Sequence, residues 1–169
     1  SAATEFVADL IETKEDDVIE GRLLKGEDRY RMDMEEDGER LSVVVDLEGG
    51  TTDVLLHSRR SYMTTANRSV RSQASNPFAA YESAAAQYET RVTGTEPIEG
   101  YECSVTEVVA DETVLMTAWV SPALEMPLKL ITHAEPSRQM ALVNIEEGPV
   151  AASSFEVPEG YEELDAPGG

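Results

Sequence analysis

The side chains able to do chemistry are few, and their spacing speaks against a catalytic centre. The chain holds one cysteine, Cys103, and two histidines, His57 and His133, far apart in sequence. Nucleophilic catalysis needs a nucleophile, a base within hydrogen-bond reach and a group that orients the base. Cys103 alternates with Tyr101 and Val105, so it belongs to the dry face of a strand, where a thiol is a small inert hydrophobe. There is no Gly-x-Ser-x-Gly elbow and no phosphate-binding glycine loop. We therefore expect no enzymatic activity, no catalytic residue and no cofactor. Asp33-x-Glu35-x-Asp37-Gly38 echoes the start of a calcium loop. The twelfth position, which should supply a bidentate Glu, is Val44, so no metal site is expected. Asp33 and Glu35 fit the wet face of a strand instead. Asn67-Arg68-Ser69 is a glycosylation sequon, which in a bacterial protein usually carries no meaning.

The elements that would position these groups read mostly with period two. Tyr30, Met32 and Met34 alternate with charged residues, giving a strand with one dry and one charged face. Asp37-Gly38 supplies turn chemistry, and Leu41, Val43, Val45 and Leu47 continue on the next strand. Val54 with Leu56, then Tyr62-Met63, extend the meander, and residues 6–24 fit two further strands joined near Glu15-Asp16-Asp17. Residues 58–73 read as a strand end followed by a mobile loop. One helix is expected over 76–88, with Asn76 as N-cap, Pro77 at its first position and Phe78, Tyr81, Ala85 and Tyr88 as one stripe. Strands resume from Tyr101, and a last hairpin turns around Pro136-Ser137. About ten strands and at least one helix predict a mainly β (α+β) domain. Its large curved antiparallel sheet, an unclosed β-barrel, is covered on its concave face by that helix.

Length and charge narrow the function classes. The 169 residues suit one domain over 1–164, with 165–169 as a frayed tail. Apolar residues make up 41% and the mean hydropathy is −0.32, so the composition is neither that of a membrane span nor that of a disordered chain. No apolar run approaches the ~20 residues of a membrane-spanning helix. With 34 acidic against 13 basic residues, the net charge is −21. Such a field repels phosphate backbones and anionic bilayers, so no nucleic-acid partner is expected. Only Lys14, Lys25 and Lys129 are lysines. An acidic, lysine-poor surface fits a halophilic source, and equally an acidic exported protein from a GC-rich genome.

Six methionines, Met32, Met34, Met63, Met116, Met126 and Met140, are spread along the sheet. Methionine adapts to variable neighbours. Two readings stay open: ordinary core filling beneath the helix, or a hydrophobic ligand groove between helix and sheet.

Several motifs then occur in order. Gly26-Glu27-Asp28-Arg29-Tyr30-Arg31-Met32 leads into the first alternating strand. Gly100-Tyr101-Glu102-Cys103, Ala118-Trp119-Val120-Ser121-Pro122 and Met126-Pro127-Leu128-Lys129 follow, and the chain closes on Phe155-Glu156-Val157-Pro158-Glu159-Gly160-Tyr161. This order resembles an uncharacterised family of exported bacterial proteins related to the LolA and LolB periplasmic lipoprotein carriers. The resemblance covers roughly residues 5–164 and is most specific in the terminal motif and the Trp-to-Pro-Leu-Lys spacing. It implies an unclosed barrel that holds an acyl chain or a lipoprotein. It also implies a place in the periplasm or at the outer membrane after removal of an export signal, and no catalysis. The lining expected for such a site is Tyr30, Met32, Met34, Val43, Val45, Phe78, Tyr81, Tyr88, Met116 and Trp119. The competing reading is an interaction or sensor module with a filled core, acting through its surface loops on a periplasmic protein partner.

Overall fold

The computed structural model describes residues 4–165, so part of the expected tail, 166–169, lies outside the described residues. Among the described residues one mixed sheet of twelve strands dominates. Its first six strands are β1 (Phe6–Lys14), β2 (Asp17–Lys25), β3 (Arg29–Glu36), β4 (Glu39–Asp46), β5 (Thr51–Leu56) and β6 (Ser61–Ala66). Two helices follow, α1 (Val70–Ser75) and α2 (Pro77–Gln87). Then come β7 (Glu89–Ile98), β8 (Tyr101–Ala110), β9 (Thr113–Ser121), β10 (Met126–Thr132), β11 (Arg138–Glu147) and the short β12 (Glu162–Glu163). The spatial order is β12-β6-β5-β4-β3-β2-β1-β11-β10-β9-β8-β7. Two meanders therefore meet at the β1–β11 pair, and the sheet ends at β12 and β7 without closing. All neighbours are antiparallel except β12 on β6.

Local sequence explains the register. Asp37 and Gly38 adopt φ of 52° and 78°, the left-handed pair that a two-residue hairpin with native twist requires. The hairpin then sets Tyr30 opposite Val45, Met32 opposite Val43 and Met34 opposite Leu41. Gly21 of β2 faces Met34 of β3. A Cβ there would lie 2.4 Å from the Asp33 carbonyl oxygen, so the close approach of these strands requires glycine.

Both faces of the first meander are covered, each differently. The concave face carries the main core: Phe6, Leu10, Leu23, Met32, Val43, Leu128, Leu130, Met140 and Leu142 pack with Phe78 and Tyr81 of α2. On the convex face Val44 and Leu55 pack with Phe155, Val157 and Tyr161 of the tail. Double coverage accounts for four consecutive buried residues, Ser42, Val43, Val44 and Val45, where half-buried strands would alternate.

Three expectations need correction. Residues 58–73 are not a mobile loop; they form a 3-10 turn at His57–Arg59, strand β6 and helix α1. Polar bonds build α1: the Ser69 hydroxyl accepts from the Ser72 amide, and buried Ser72 donates to the Ala66 carbonyl at 2.8 Å. An apolar period cannot reveal such a helix. Strand β7 has no counterpart among the expected strands, because Gly94 and Pro97 weaken its signal. Gly94 marks a bulge and Pro97 sits on an edge, both consistent with a sheet border. Finally, α2 stops at Gln87, and Tyr88 leaves in extended conformation, 45% exposed. The aromatic stripe therefore ends at Tyr81.

Candidate functional site

The start of helix α2 is tied to the sheet by a polar and an aromatic contact. The Asn76 side-chain oxygen accepts from the amides of Phe78 and Ala79, capping the helix. Its Nδ2 donates to the Tyr30 hydroxyl at 2.8 Å. The Tyr30 and Phe78 rings meet edge to face with centroids 5.7 Å apart. Burial pushes the Tyr30 phenol above its ordinary pKa, so it stays neutral as the acceptor of that bond.

The helices cover only part of the concave face. A cavity of about 890 Å³ opens beneath α1. Its floor is Met34, Leu41, Val43 and Val54, its roof is Val70 and Ala74, and Glu12, Lys14, Glu36, Arg68, Arg71 and Arg138 border it. A second cavity of about 600 Å³ lies against α2, walled by Tyr30, Val45, Leu47, Phe78, Met126 and Pro127. A small one of about 130 Å³ sits under the start of α2 among Met116, Leu130 and Met140. Between them the core is filled, with Met32 fully buried.

Of the ten lining residues expected, Met34 and Val43 reach the first cavity, Tyr30, Val45 and Phe78 the second, and Met116 the third. Met32 and Tyr81 are packed in the core instead. Tyr88 is excluded by the end of α2. Trp119 points to the sheet's border region: its Nε1 donates to Glu96 at 2.7 Å and the Lys129 ammonium lies 4.6 Å over its ring. Leu41, Val54 and Val70 were not among the candidates, although Leu41 and Val54 lie on the same alternation as Val43.

The border of the first cavity is charged. Glu12 is 3% exposed, and one of its oxygens accepts from Nε and Nη2 of Arg138. Lys14 stands 3.9 Å from Glu12 and 4.0 Å from Glu36. In the second cavity buried Lys25 donates to the Gly26 carbonyl at 2.7 Å, and burial lowers its pKa against the pull of Glu125.

A serine, a histidine and an aspartate do converge, but on the convex face. Ser42 Oγ donates to Asp33 at 2.6 Å and lies 2.7 Å from His57 Nε2. His57 Nδ1 lies 2.6 Å from the Tyr161 hydroxyl. Arg31 donates to Asp33, to Ser42 and to the Ser154 carbonyl. A serine hydroxyl has one proton, and here it goes to Asp33. His57 must then donate through Nε2 and accept from Tyr161 at Nδ1, so it has no free nitrogen to take a proton from Ser42. The chain of bonds anchors the tail to the sheet and is not a catalytic relay. Burial first, then Arg31 and Arg40, lower the His57 pKa, with Asp33 opposing. The unfolded chain, titrating near 6.5, then binds a proton before the folded one does. The stabilisation is complete above about pH 6.5 and is lost as pH falls from there towards the folded value. Stability of the wild type is expected to fall more steeply than that of His57→Gln between about pH 7 and 5, as read by urea midpoints. Parallel curves would reject this role.

His133 bonds Thr117 at 2.8 Å, and Cys103 is buried with its thiol pushed up by burial. Among the described residues no hydrogen bond joins either to the other or to His57. Asn67 of the sequon is engaged too, accepting from Thr52 and donating Nδ2 to the Asp46 carbonyl. No group of three His, Cys, Asp or Glu placed to hold a metal occurs among the described residues, and no helix among them is long and apolar enough to cross a membrane.

These features define an unclosed sheet, antiparallel except for β12, whose concave face is partly roofed by helices and retains cavities. Residues 10–126 match DUF4412, described as a domain of unknown function, and the chain belongs to that family. No curated protein matches the sequence. An uncharacterised conserved protein from Thermus thermophilus is similar in structure, with a TM-score of 0.67 at 11% identity, over 97% of this chain and 91% of that one. Pseudomonas aeruginosa MucB, in a MucA/MucB complex, gives a TM-score of 0.59 at 16% identity over 92% of this chain. This chain spans about half, 56%, of that one. A LolA superfamily protein from Nitrosomonas europaea is also similar, at a TM-score of 0.45 and 12% identity over 92% of this chain and 90% of that one. An uncharacterised family is what the sequence motifs led us to expect.

Proposed function

We propose that this domain is a non-enzymatic, extracytoplasmic binding protein that holds one hydrophobic chain, an acyl chain of a lipid or lipoprotein, beneath α1. The observation that carries this reading is the 890 Å³ cavity, whose size falls within the range of small-molecule sites. Its floor is apolar and rigid because Met34, Leu41, Val43 and Val54 stand on three adjacent strands. Its roof is a six-residue helix held by short polar bonds, the part of the cover with least apolar anchoring. The second cavity, with Tyr30, Val45 and Phe78, would accommodate the far end of a longer chain. The likeness to MucB, solved with MucA(peri), supports a place outside the cytoplasm. The acidic surface reads as an adaptation to the surrounding solvent.

Organic extraction of the purified protein followed by mass spectrometry tests this. Wild type is expected to release acyl lipid. Val54→Trp, which fills the cavity from its floor, is expected to release about a tenth as much or less, equivalent to about 1.4 kcal/mol of lost binding. Equal, trace amounts from both would reject the reading.

A second reading is favoured by the MucA/MucB complex and by the ten-residue edge strand β7, whose outer side is unpaired in the sheet. On that reading the domain engages a protein partner along its border. A saturable partner retained by Val54→Trp would support it.

A further inference from the structure

Cations are scarce in this chain, and four of its 13 border one cavity. The molecule carries −21 in all, with 13 basic residues against 34 acidic. Four of the basic residues, Lys14, Arg68, Arg71 and Arg138, border the first cavity, against two carboxylates, Glu12 and Glu36. The mouth is therefore positive where the molecule as a whole is negative. Three of these cations are already engaged: Arg138 is held by Glu12, Lys14 stands between Glu12 and Glu36, and Arg71 has an interaction of its own. The Arg68 guanidinium is different. It is exposed at the rim and makes no hydrogen bond or ion pair among the described residues, its backbone carbonyl alone accepting from Gln73.

An unmatched guanidinium beside an apolar floor is complementary to a chain bearing one anionic head. A fork of parallel N–H donors suits a carboxylate in particular. Elsewhere the net field repels anions, so a negatively charged amphiphile finds its favourable seat at this mouth. Resting on the binding reading above, we propose that the first cavity takes a fatty acid, with its tail on Met34, Leu41, Val43 and Val54 and its carboxylate on Arg68.

Titration calorimetry of the full chain with dodecanoate, dodecanol, dodecyl phosphate and dodecyltrimethylammonium, each below its aggregation threshold, tests this. Dodecanoate is expected to bind about tenfold more tightly than dodecanol, as for one charge-assisted contact of about 1.4 kcal/mol. The trimethylammonium is expected to bind most weakly. Arg68→Gln is expected to remove the preference for acid over alcohol and to leave dodecanol binding unchanged, its unaltered melting temperature showing that the fold persists. Equal binding of acid and alcohol, or an unaltered preference in Arg68→Gln, would overturn the head-group assignment while leaving the binding reading intact. Tighter binding of dodecyl phosphate than of dodecanoate would overturn the carboxylate. Binding of none of the four would overturn both.

Discussion

Phe78→Ala is expected to lower the unfolding free energy by about 3–5 kcal/mol, the range for truncating a buried phenylalanine. Phe78 is buried in the first turn of α2, edge to face with Tyr30, and belongs to the main core cluster. Its removal takes away the ring's transfer energy and leaves a void. It also weakens the seat of Asn76, whose side chain caps α2 and donates to Tyr30. The ring borders the second cavity, so part of its surface already faces open space. That places the expected loss in the lower half of the range. Phe78→Leu keeps most of the volume and should cost less than about 1.5 kcal/mol. Urea unfolding with an unchanged m-value checks both. A loss below about 1 kcal/mol for Phe78→Ala would mean that α2 contributes little to the sheet's cover.

Arg138→Met is expected to cost about 2–3 kcal/mol, below the ~3–5 of a wholly buried pair because the Arg138 side chain is 30% exposed. The reason is asymmetric. Glu12 is the buried member, and without Arg138 its carboxylate keeps, among the described residues, only Lys14 at 3.9 Å. Adding Glu12→Gln to Arg138→Met removes the stranded charge, so the double variant should be more stable than Arg138→Met alone. Denaturant midpoints of the two single variants and the double decide this. A double variant that loses the sum of the two single losses would show that the pair is not coupled. The contact also ties β1 to β11, the one junction between the two meanders. Its loss should therefore loosen the border of the first cavity as well as the whole fold.

What the sequence disclosed, and what it hid, follows from the kind of force at each place. The β3–β4 hairpin was legible because alternation and an Asp-Gly turn act over a few neighbouring residues. Helix α2 was legible from Asn76-Pro77, but its end was not, since Tyr88 continues the helical spacing while its backbone turns extended. Helix α1 was hidden because Ser69 and Ser72 build it with hydroxyls, and those residues read as loop formers. Strand β7 was hidden because an edge tolerates the glycine and proline that a central strand would refuse.

The candidate site divided in the same way. Its floor followed from the dry side of β3 and β4, where Met34 and Val43 lie. Its charged border did not, because Glu12 and Arg138 are 126 residues apart and only the β1–β11 pairing brings them together. The anchor of the tail was equally out of reach, since His57 and Tyr161 are 104 residues apart. Trp119 was drawn towards the site by its size, yet its indole N–H is matched by Glu96 at the surface.

Methionine methyl groups offer the most direct reading of the central claim, because each cavity has its own reporters. Met34 lines the first cavity, Met126 the second, Met116 and Met140 the third, while Met32 is fully buried among core residues. In carbon-13 methyl spectra of the full chain titrated with dodecanoate, the Met34 signal is expected to shift saturably. Met126 should follow only for chains long enough to pass the helices. A titration in which Met34 never moves, whether the other signals shift or not, would contradict a hydrophobic site beneath α1.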